Sequence, residues 1–498
     1  MNPAQSRAML VISEFLVALL ISLFVVQFLK LKWACSWLPP GPTPLPLIGT
    51  MWQMDFKRQH ELLIKLAQIY GNIFTLWIGH VPVIILNGFT AVKDGLTVHS
   101  EDVSGRPTTP FFQKTSRGKG IIFTSGHTWK QQRRFGLMTL RNLGLGKKGL
   151  EHRIQEEARQ LLEYFMTKRG DPLDPSFPIV HSVSNVIAAV VYGHRFSIED
   201  KDFHQLIENN DYLVKQGNGF RELLYDVFPW LMDHLPGSHQ KVFCCQEFLR
   251  SFARKEVRNH QERESPDEPQ DFIDFYLAQI DKSKADPHST FDEDNLVQTI
   301  FELFLAGTET TTTTLCWAVL NMVAYPDIQE RVQKELDNVL GPSQLICYED
   351  RKNLPYTYAV IHEIQRHSSV VAVGVPRECV KDTMLQGFPI EKGTIILPNL
   401  TSVLLDPEQW ETPRQFNPNH FLDQDGNFVK KEAFLPFSAG HRVCLGEQLA
   451  RTELFIFFTN LLRAFTFRLP EGVKEINTES VLGGTLQPHP YKICAIPR

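Results

Sequence analysis

The most informative stretch of the sequence is residues 437–446, which read FSAGHRVCLG. Cys444 stands between Gly440 and Gly446, and a long apolar segment of helical pattern, Leu449–Leu462, follows it. Glycine permits positive φ angles and a close approach of backbone to a ligand. A helix that starts just after a cysteine presents free N–H groups and the positive end of its dipole to the sulfur. The stretch therefore predicts a thiolate directed at a flat metal cofactor.

The alternative interpretation of Cys444 is a small buried cysteine after a turn, because unpaired cysteines usually pack as apolar groups. The chain has eight cysteines among 498 residues, with no C-x-x-C pair and no zinc-binding spacing. Eight cysteines in a chain of this length do not form a disulfide scaffold, so we expect a reducing compartment. The spacing of glycine and arginine around Cys444 favours the metal-ligand interpretation.

A second unusual segment, Leu305–Thr310, lies inside an apolar stretch of helical pattern. Glycine and consecutive threonines are poor residues for a helix interior. A threonine hydroxyl can also bond the carbonyl four residues earlier and bend the helix. We expect a local widening at Gly307 that faces the cofactor, with Glu309 and Thr310 as an acid–alcohol pair that moves protons. The alternative is a helix-packing notch with back-bonded threonines, and Thr311–Thr314 are expected to make structural contacts only.

Two further pairs of residues share a helical face. Glu363 and Arg366 lie three apart within a predicted helix, Tyr358–His367, and can form an ion pair. Taken alone, such a pair is an ordinary solvated salt bridge. Trp129 and Arg133 lie four apart, so an indole N–H and a guanidinium point the same way, as donors for an anionic group.

Together these segments resemble the signatures of the cytochrome P-450 superfamily of haem-thiolate monooxygenases. The surroundings of Cys444 follow F-x-x-G-x-R-x-C-x-G, those of Thr310 follow A-G-x-[DE]-T, and Glu363 and Arg366 follow E-x-x-R. The motifs stand in family order. Within the superfamily the chain is most similar to the microsomal vertebrate family-2 group, and there to the J-type arachidonate epoxygenases.

The resemblance implies haem b with Cys444 as the iron ligand, since a thiolate supplies electron density that favours O–O cleavage. It gives Glu309 and Thr310 the role of proton delivery. The residues that it places against the cofactor are Trp129, Arg133, Ala306, Arg377, Phe437, Gly440, Arg442 and Gly446. For Arg377 the alternative is a plain surface arginine.

The resemblance also gives the Glu363–Arg366 pair a structural role beneath the haem. In the family a downstream segment, here Pro413–Phe421, supplies a third polar partner. The family often has arginine where this chain has His420. A histidine can still donate a hydrogen bond to the carboxylate, so we expect the contact to persist.

The implied reaction is insertion of one oxygen atom from O₂ into a lipophilic substrate. Polyunsaturated fatty acids such as arachidonate and xenobiotics are the two substrate classes that the resemblance leaves open. The family positions that line the substrate pocket are Phe111, Phe112, Ile121, Ala306, Val373, Val375 and Thr485, any of which could be ordinary core. Alternative functions are a haem-thiolate isomerase of lipid peroxides and a non-catalytic haem sensor or electron carrier.

The implied electron donor is NADPH, through a reductase that carries FAD and FMN, with cytochrome b5 as a second candidate partner. A cluster of cations could steer an acidic flavoprotein, although a solvated helix face is the usual explanation of such a cluster. Its members are Lys130, Arg133, Arg134, Arg141, Lys147 and Lys148. The net charge of −5 gives no sign of nucleic-acid binding.

The N-terminal segment Ala8–Leu29 is nearly all apolar. As a helix its 22 residues span about 33 Å, enough for a hydrocarbon core of about 30 Å. Lys30 and Lys32 follow it, and positive charge marks the cytosolic side. We therefore expect an endoplasmic reticulum membrane protein whose catalytic domain faces the cytosol, where the sequon at Asn399 would stay silent. The alternative is a cleaved signal peptide.

The expected organisation is a membrane anchor over residues 1–32, a Pro-rich hinge over 33–49 and a single haem-thiolate catalytic domain over 50–498. Prolines favour a stiff extended spacer in the hinge. An apolar stretch, Val227–Met232, is expected to form a second contact with the bilayer.

The fold class predicted for the catalytic domain is mainly α with small segregated β-sheets (α+β). Two strands are predicted at Ile73–Ile78 and Pro82–Leu86, joined by a turn at Gly79 and His80. Helical patterns dominate residues 129–340, and the charged, proline-punctuated residues 259–294 are predicted to be a surface excursion.

Overall fold

The computed structural model describes residues 3–55, 58–144, 148–216, 220–263, 268–341 and 344–498. Within them the predicted fold class is confirmed, since long helices dominate and the strands form small separate sheets. The α-helices, in chain order, are α1 (Pro3–Ala34), α2 (Gln59–Tyr70), α3 (Gly88–Lys93), α4 (Pro110–Ser116), α5 (Gly126–Asn142), α6 (Lys148–Thr167), α7 (Ser176–Val191), α8 (Lys201–Gln216), α9 (Phe220–Val227), α10 (Pro229–Met232), α11 (Ser238–Glu262), α12 (Phe272–Ser283), α13 (Glu293–Ala324), α14 (Pro326–Val339), α15 (Pro355–Ser368), α16 (Leu400–Leu404) and α17 (Glu447–Ala464).

The strands form one four-stranded sheet and three two-stranded sheets within the described residues. They are β1 (Ile73–Ile78), β2 (Val81–Leu86), β3 (Arg377–Glu378), β4 (Thr383–Leu385), β5 (Phe388–Ile390), β6 (Ile395–Pro398), β7 (Phe465–Arg468), β8 (Ser480–Leu482), β9 (Leu486–Pro488) and β10 (Cys494–Pro497). The larger sheet has the order β1-β2-β6-β3, with β2 and β6 parallel. Its strands are rich in β-branched residues, which suit a half-buried pleated surface.

Helix α13 forms the centre of the helical core and packs against α7, α11, α15 and α17. Its residues Leu296, Ile300 and Phe304 are fully buried. A helix that is apolar on almost every face lies in the interior of a large domain. The position of α13 brings its middle turns opposite the start of α17, and the loop that carries Cys444 lies directly before α17.

One part of the predicted surface excursion at residues 259–294 is wrong. Helix α12 lies inside it, and Phe272, Ile273 and Tyr276 of that helix are fully buried. Phe272 and Tyr276 stand four residues apart, a spacing that puts both rings on one helical face. The charged and proline-rich flanks hid this short apolar pattern.

Helix α1 extends beyond the predicted segment Ala8–Leu29 and includes Lys30 and Lys32. Val11–Ala34 has a mean hydropathy of 2.4, with none of its apolar window buried, and is the one helix among the described residues that is long and apolar enough to cross a membrane. The sequon residue Asn399 is fully buried and donates to Asn87 Oδ1 at 2.9 Å. A glycan on Asn399 would therefore not fit the folded structure.

Candidate active site

A cavity of about 320 Å³ lies between α13, α17 and the loop that carries Cys444. One wall consists of loop and α17 residues, namely Phe437, Cys444, Leu445, Gly446, Leu449 and Ala450. The opposite wall consists of α13 residues, namely Leu303, Ala306, Gly307 and Thr310. The lining is mostly apolar, and it includes four arginines whose charges act on one another. The structure thus brings the predicted thiolate and the predicted threonine to one cavity.

Local backbone geometry fixes the loop before α17. The Cys444 N–H donates to the Phe437 carbonyl at 3.0 Å and closes the turn. Gly440 has φ +73°, and a Cβ there would overlap the Leu96 carbonyl oxygen. Gly440 does not line the cavity, so glycine is needed for packing against Leu96 rather than for the predicted contact with the cofactor. A Cβ on Gly446 would meet nothing within 4 Å, and this glycine borders open space in the cavity.

The Cys444 sulfur is exposed to the cavity, while the cavity itself lies deep in the protein. Burial raises the pKa of the Cys444 thiol, and the backbone N–H of Gly446, the Arg133 guanidinium and the backbone N–H of Glu447 lower it. Helix α17 begins at Glu447, so its free N–H groups point toward the sulfur as the sequence predicts. A coordinated metal ion would oppose the effect of burial, because metal coordination deprotonates a thiol outright.

Four arginines line the cavity: Arg106, Arg133, Arg377 and Arg442. Burial, and then the positive charge of the neighbouring arginines, lowers the pKa of Arg442 to about 9 and that of Arg377 to about 10. The same two causes lower the pKa of Arg106. Buried charges of one sign are unfavourable unless a counter-charge neutralises them. The cluster is therefore built for an anionic ligand.

Two donors beside this cluster have no hydrogen-bond partner, the Trp129 indole N–H (Nε1) and Arg377 Nη1. Both side chains are buried, with 6% and 2% of their surface exposed. The Arg442 guanidinium lies 4.0 Å from the Trp129 ring and donates to the carbonyls of Ser104 and Thr124 at 2.8 and 2.6 Å. Buried donors without a partner are rare in native proteins. Unsatisfied donors and clustered cations on this part of the lining fit the two propionates of a haem.

Arg106 is a member of this cluster that the sequence reasoning missed. It is 7% exposed, and its guanidinium donates to the carbonyls of Ile122, Val375 and Pro376 at 2.7 to 3.0 Å. It lies in a loop and has no partner at a helical spacing, so no periodic pattern could indicate it. For Arg377 the surface alternative is wrong, because the structure buries this residue on strand β3.

On the opposite wall, Thr310 Oγ1 donates to the Ala306 carbonyl at 2.8 Å, and Thr314 Oγ1 donates to the Thr310 carbonyl at 2.8 Å. Both threonines are back-bonded, as the packing alternative predicts. A Cβ on Gly307 would lie 2.5 Å from Ile187 Cδ1 of α7. The expected widening at Gly307 is not found, because α13 is continuous and the glycine lets α7 pack closely.

Glu309 does not line the cavity with Thr310. Its Oε1 accepts hydrogen bonds from Thr313 at 2.9 Å, Thr485 at 2.9 Å and Gln487 at 2.6 Å. Successive residues of an α-helix point about 100° apart, so the acid and the alcohol face different parts of the protein. Burial raises the pKa of Glu309, and these three donors lower it.

Glu363 and Arg366 form a fully buried bidentate pair, with both N–H···O distances at 2.7 Å. The remaining guanidinium donors bond the carbonyls of Leu404, Pro413 and Gln415 at 2.7 to 2.9 Å. Every part of this pair is therefore satisfied, as a buried ion pair requires. The solvated alternative is wrong for this pair.

His420 supplies the third contact of the pair. Its Nδ1 lies 3.2 Å from Glu363 Oε2, and its Nε2 lies 3.2 Å from the Thr412 N–H. Nε2 must accept from that N–H, which leaves the proton on Nδ1 to be donated to the carboxylate. A neutral histidine thus suffices where the family often has arginine.

The predicted substrate-pocket residues divide into two groups. Ile121, Ala306 and Val375 line the cavity, whereas Phe111, Phe112, Val373 and Thr485 do not. Phe111 packs against Phe112, Tyr225 and Phe243 in an aromatic cluster between α4, α9 and α11. The Thr485 hydroxyl is engaged by Glu309. A residue's place in the sequence does not reveal the direction of its side chain, which explains why four of the predicted residues do not line the cavity.

The predicted cationic cluster is only partly a surface. Lys130, Arg134 and Arg141 are exposed on α5, whereas Arg133 faces the cavity and donates to the Val443 carbonyl at 2.7 Å. Lys147 lies outside the described residues, and Lys148 begins α6. The exposed cations are thus on the same helix as a residue that contacts the Cys444 loop.

Comparison with known proteins gives matches over nearly the whole chain. The model of the family described as Cytochrome P450 matches residues 39–495. The chain is 44% identical to human cytochrome P450 2J2, over 96% of this chain and 94% of that protein. It is 43% identical to mouse cytochrome P450 2J5, over 98% and 96%, and 42% identical to mouse cytochrome P450 2C39, over 97% and 99%.

Proposed function

The chain belongs to the cytochrome P450 family, and from this premise we propose that it oxygenates polyunsaturated fatty acids such as arachidonate. Membership makes it a haem-dependent monooxygenase, and its cofactor is haem b, with electrons drawn from NADPH through a reductase. The observation that carries the proposal is the apolar cavity between Cys444 and Thr310. An apolar cavity excludes water and favours a lipophilic chain over a polar substrate.

The proposed residue roles follow from the cavity walls. Cys444 would ligate the iron, and Trp129, Arg133, Arg377, Arg442 and Arg106 would hold the propionates. When bound, the haem supplies the activation of O₂ that amino-acid side chains cannot perform. Ala306, Phe437 and Gly446 would pack against the macrocycle, since all three line the cavity.

Thr310 is proposed to hold a proton at its Oγ1 in the cavity, where it would assist the reduction of oxygen. Glu309 is proposed to support it from the other side of α13, because it anchors Thr485 and Gln487 of the C-terminal hairpin. The Glu363–Arg366 pair is proposed to hold the segment Pro413–Gln415 rigidly near the haem-binding loop.

The proposed location is the endoplasmic reticulum membrane, with α1 as the anchor and the catalytic domain in the cytosol. Lys30 and Lys32 support this orientation. The exposed cations Lys130, Arg134 and Arg141 are proposed as part of the docking surface for an acidic reductase, with cytochrome b5 as a competitor for it.

The test is reconstitution of the full chain with reductase, NADPH and lipid, followed by mass spectrometry of products from arachidonic acid. Regioselective epoxides or hydroxylated acids are the expected result. Xenobiotic products without fatty-acid products would overturn the substrate proposal alone. Rearrangement of a lipid hydroperoxide without NADPH would instead indicate an isomerase, and ligand binding without any product would indicate a haem sensor or carrier.

A further inference from the structure

Arg451 lies on α17, the helix that directly follows the loop of Cys444. Its Nε and Nη2 both lie 3.0 Å from Glu447 Oε1, one turn earlier on the same helix. Its Cζ lies 4.8 Å from the centre of the Phe437 ring and 5.7 Å from the centre of the Phe434 ring. Only 18% of the Arg451 side chain is exposed. The guanidinium is thus bonded to a carboxylate and packed against two aromatic rings.

A buried histidine of α15 bonds the remaining part of this guanidinium. Arg451 Nη1 lies 3.1 Å from His362 Nε2. His362 Nδ1 lies 2.8 Å from the Tyr358 carbonyl oxygen and must donate to it, since a carbonyl oxygen only accepts. Burial, followed by the positive charge of Arg451, lowers the pKa of His362 to about 3, so the ring is neutral. Its Nε2 therefore accepts from Arg451 and holds the guanidinium in one orientation.

Two partners of Arg451 are also connected with Cys444. Phe437 lines the cavity, and its carbonyl oxygen accepts the Cys444 N–H at 3.0 Å. Burial is the main cause that raises the pKa of the Cys444 thiol, and the negative charge of Glu447 raises it further. The electron-rich face of an aromatic ring attracts a cation. The positive charge of Arg451 therefore reaches the sulfur through one neighbouring ring and one neighbouring carboxylate.

We propose that Arg451 is a positioning residue that raises the reduction potential of the haem through Phe437 and Glu447. One-electron reduction of the iron adds a negative charge to the site, and the electron comes from NADPH through the reductase. A positive charge nearby stabilises the reduced state, because opposite charges attract and partly buried charges are only weakly screened. The pairing of Glu447 with Arg451 also removes a negative charge that would oppose reduction.

The inference rests on the ligation of iron by Cys444 that is proposed above, and Arg451 lies outside the motif around that cysteine. The exposed part of the Arg451 side chain allows a different role, in the docking of the reductase. The two roles change different quantities. A docking residue alters the concentration of reductase that gives half of the maximal rate, whereas a residue that acts on the iron alters the equilibrium potential measured without reductase.

The first test is a spectroelectrochemical titration of the haem-loaded full chain, without reductase or substrate, for the wild type and Arg451→Met. Methionine retains an unbranched apolar side chain but has no charge, so Glu447 loses its partner. We expect the equilibrium constant for reduction to fall about tenfold, which for one electron is a shift of about 59 mV to lower potential. Arg258→Met, at an exposed arginine of α11, is the matched control and should leave the potential unchanged. Equal potentials in Arg451→Met and the wild type would overturn the proposal.

Two further variants separate the effect of charge from that of packing. Arg451→Lys keeps the charge and should keep most of the wild-type potential. Glu447→Gln removes the negative charge and should shift the potential upward, and it keeps the proposal testable should Arg451→Met fail to retain haem. The proposal would be wrong if Glu447→Gln left the potential unmoved, or if Arg451→Lys lowered it as far as Arg451→Met does.

The second test measures the rate of NADPH-dependent haem reduction at increasing concentrations of reductase. We expect Arg451→Met to lower the maximal rate and to leave the half-saturating concentration of reductase unchanged. A raised half-saturating concentration at an unchanged potential would make Arg451 a docking residue and overturn the proposal.

Failures of the proposed function are distinguishable from a failure of this inference. A wild type without fatty-acid products would refute the substrate proposal alone, since the potentials are measured without substrate. A wild type without the red-shifted CO band of thiolate-ligated haem would refute ligation by Cys444. That result would also overturn the role of Arg451, because its route to the iron passes through the sulfur.

Discussion

Cys444 is the residue on which the proposed chemistry depends most. Serine in its place keeps the size of the side chain but not the soft, readily deprotonated sulfur. We expect Cys444→Ser to abolish turnover and to remove the red-shifted band that thiolate-ligated haem gives with CO. Cys244→Ser, an exposed cysteine on α11, is the control and should keep both. Monooxygenation that survives in Cys444→Ser would refute Cys444 as the ligand.

A second prediction for a single residue concerns the Thr310 hydroxyl on the cavity wall. Thr310→Ala removes that hydroxyl and its bond to the Ala306 carbonyl. We expect NADPH consumption to continue while product falls and peroxide or excess water rises. Thr310→Ser, which retains the hydroxyl, should keep most of the coupling. Equal ratios of product to NADPH in wild type and Thr310→Ala would show that another group delivers the protons.

At this scale the sequence predicts which residues reach the cavity wherever side-chain direction is fixed by a helical spacing or a tight loop. Trp129, Arg133 and Cys444 are such cases. The sequence motif does not show that Glu309 and Thr310 face different parts of the protein. Side chains that are adjacent in sequence point in different directions on a helix. The sequence also does not reveal Arg106, whose neighbours in the cluster come from distant parts of the chain.

At the scale of elements, the close contact of α7 and α13 depends on Gly307. Gly307→Ala places a Cβ 2.5 Å from Ile187 Cδ1, and overpacking of a core costs about 1–3 kcal/mol. We expect a lower thermal unfolding midpoint and less bound haem.

The pair Gly307→Ala and Ile187→Val makes a mutant cycle, because valine lacks the clashing Cδ1. The double variant should be less destabilised than the sum of the single ones. Gly149→Ala in α6 is the control, since a Cβ there meets nothing within 4 Å. Additive effects of the two mutations would contradict the contact.

The second element-scale prediction concerns α15. Arg366→Lys keeps the charge but loses the planar fork that bonds Glu363 and three carbonyls. Disruption of a buried pair typically costs about 3–5 kcal/mol, so we expect poor haem retention and a much lower unfolding midpoint. Lys334→Ala removes an exposed pair with Glu330 and should be nearly neutral. Full haem content in Arg366→Lys would show that the pair is dispensable.

Helices and the first hairpin are predictable because their patterns are local. The turn at Gly79 and the strands on either side follow from alternation and a glycine at φ +60°. The parallel pairing of β2 with β6 joins Val83 to Ile395. No local pattern encodes a contact across more than three hundred residues, and the same holds for the notch that Ile187 fills against Gly307.

At the scale of the whole molecule, two surfaces have different chemistry. Exposed cations of α5 lie on the helix that contacts the Cys444 loop. Exposed apolar side chains lie elsewhere, at Phe220 and Trp230 of α9 and α10 and at Leu47 of the hinge. The hinge and α9 both pack closely against Gly79. A Cβ on Gly79 would lie 3.1 Å from a Val227 methyl carbon and 3.3 Å from the Leu47 carbonyl oxygen. The cationic surface of α5 suits an acidic partner, and the apolar surface of α9, α10 and the hinge suits lipid.

The last prediction tests that apolar face as a membrane contact independent of α1. The side chains of Trp230, Leu231 and Leu47 are 70%, 39% and 55% exposed. Exposure of apolar surface to water is unfavourable, and contact with a bilayer would remove that exposure. Because the apolar window of α1 is unburied, deletion of residues 1–29 removes no core contact. We expect the truncated protein still to bind phospholipid vesicles in a flotation assay.

Each large apolar side chain contributes about 1.5–3 kcal/mol when buried, so Trp230→Ser with Leu231→Ser in the truncated protein should weaken vesicle binding at least tenfold. Val98→Ser, which alters an apolar residue that is 71% exposed and lies outside α9 and α10, is the matched control and should not weaken it. A truncated protein that remains entirely soluble and indifferent to lipid would leave α1 as the only membrane contact. That result would also contradict the second bilayer contact expected for Val227–Met232.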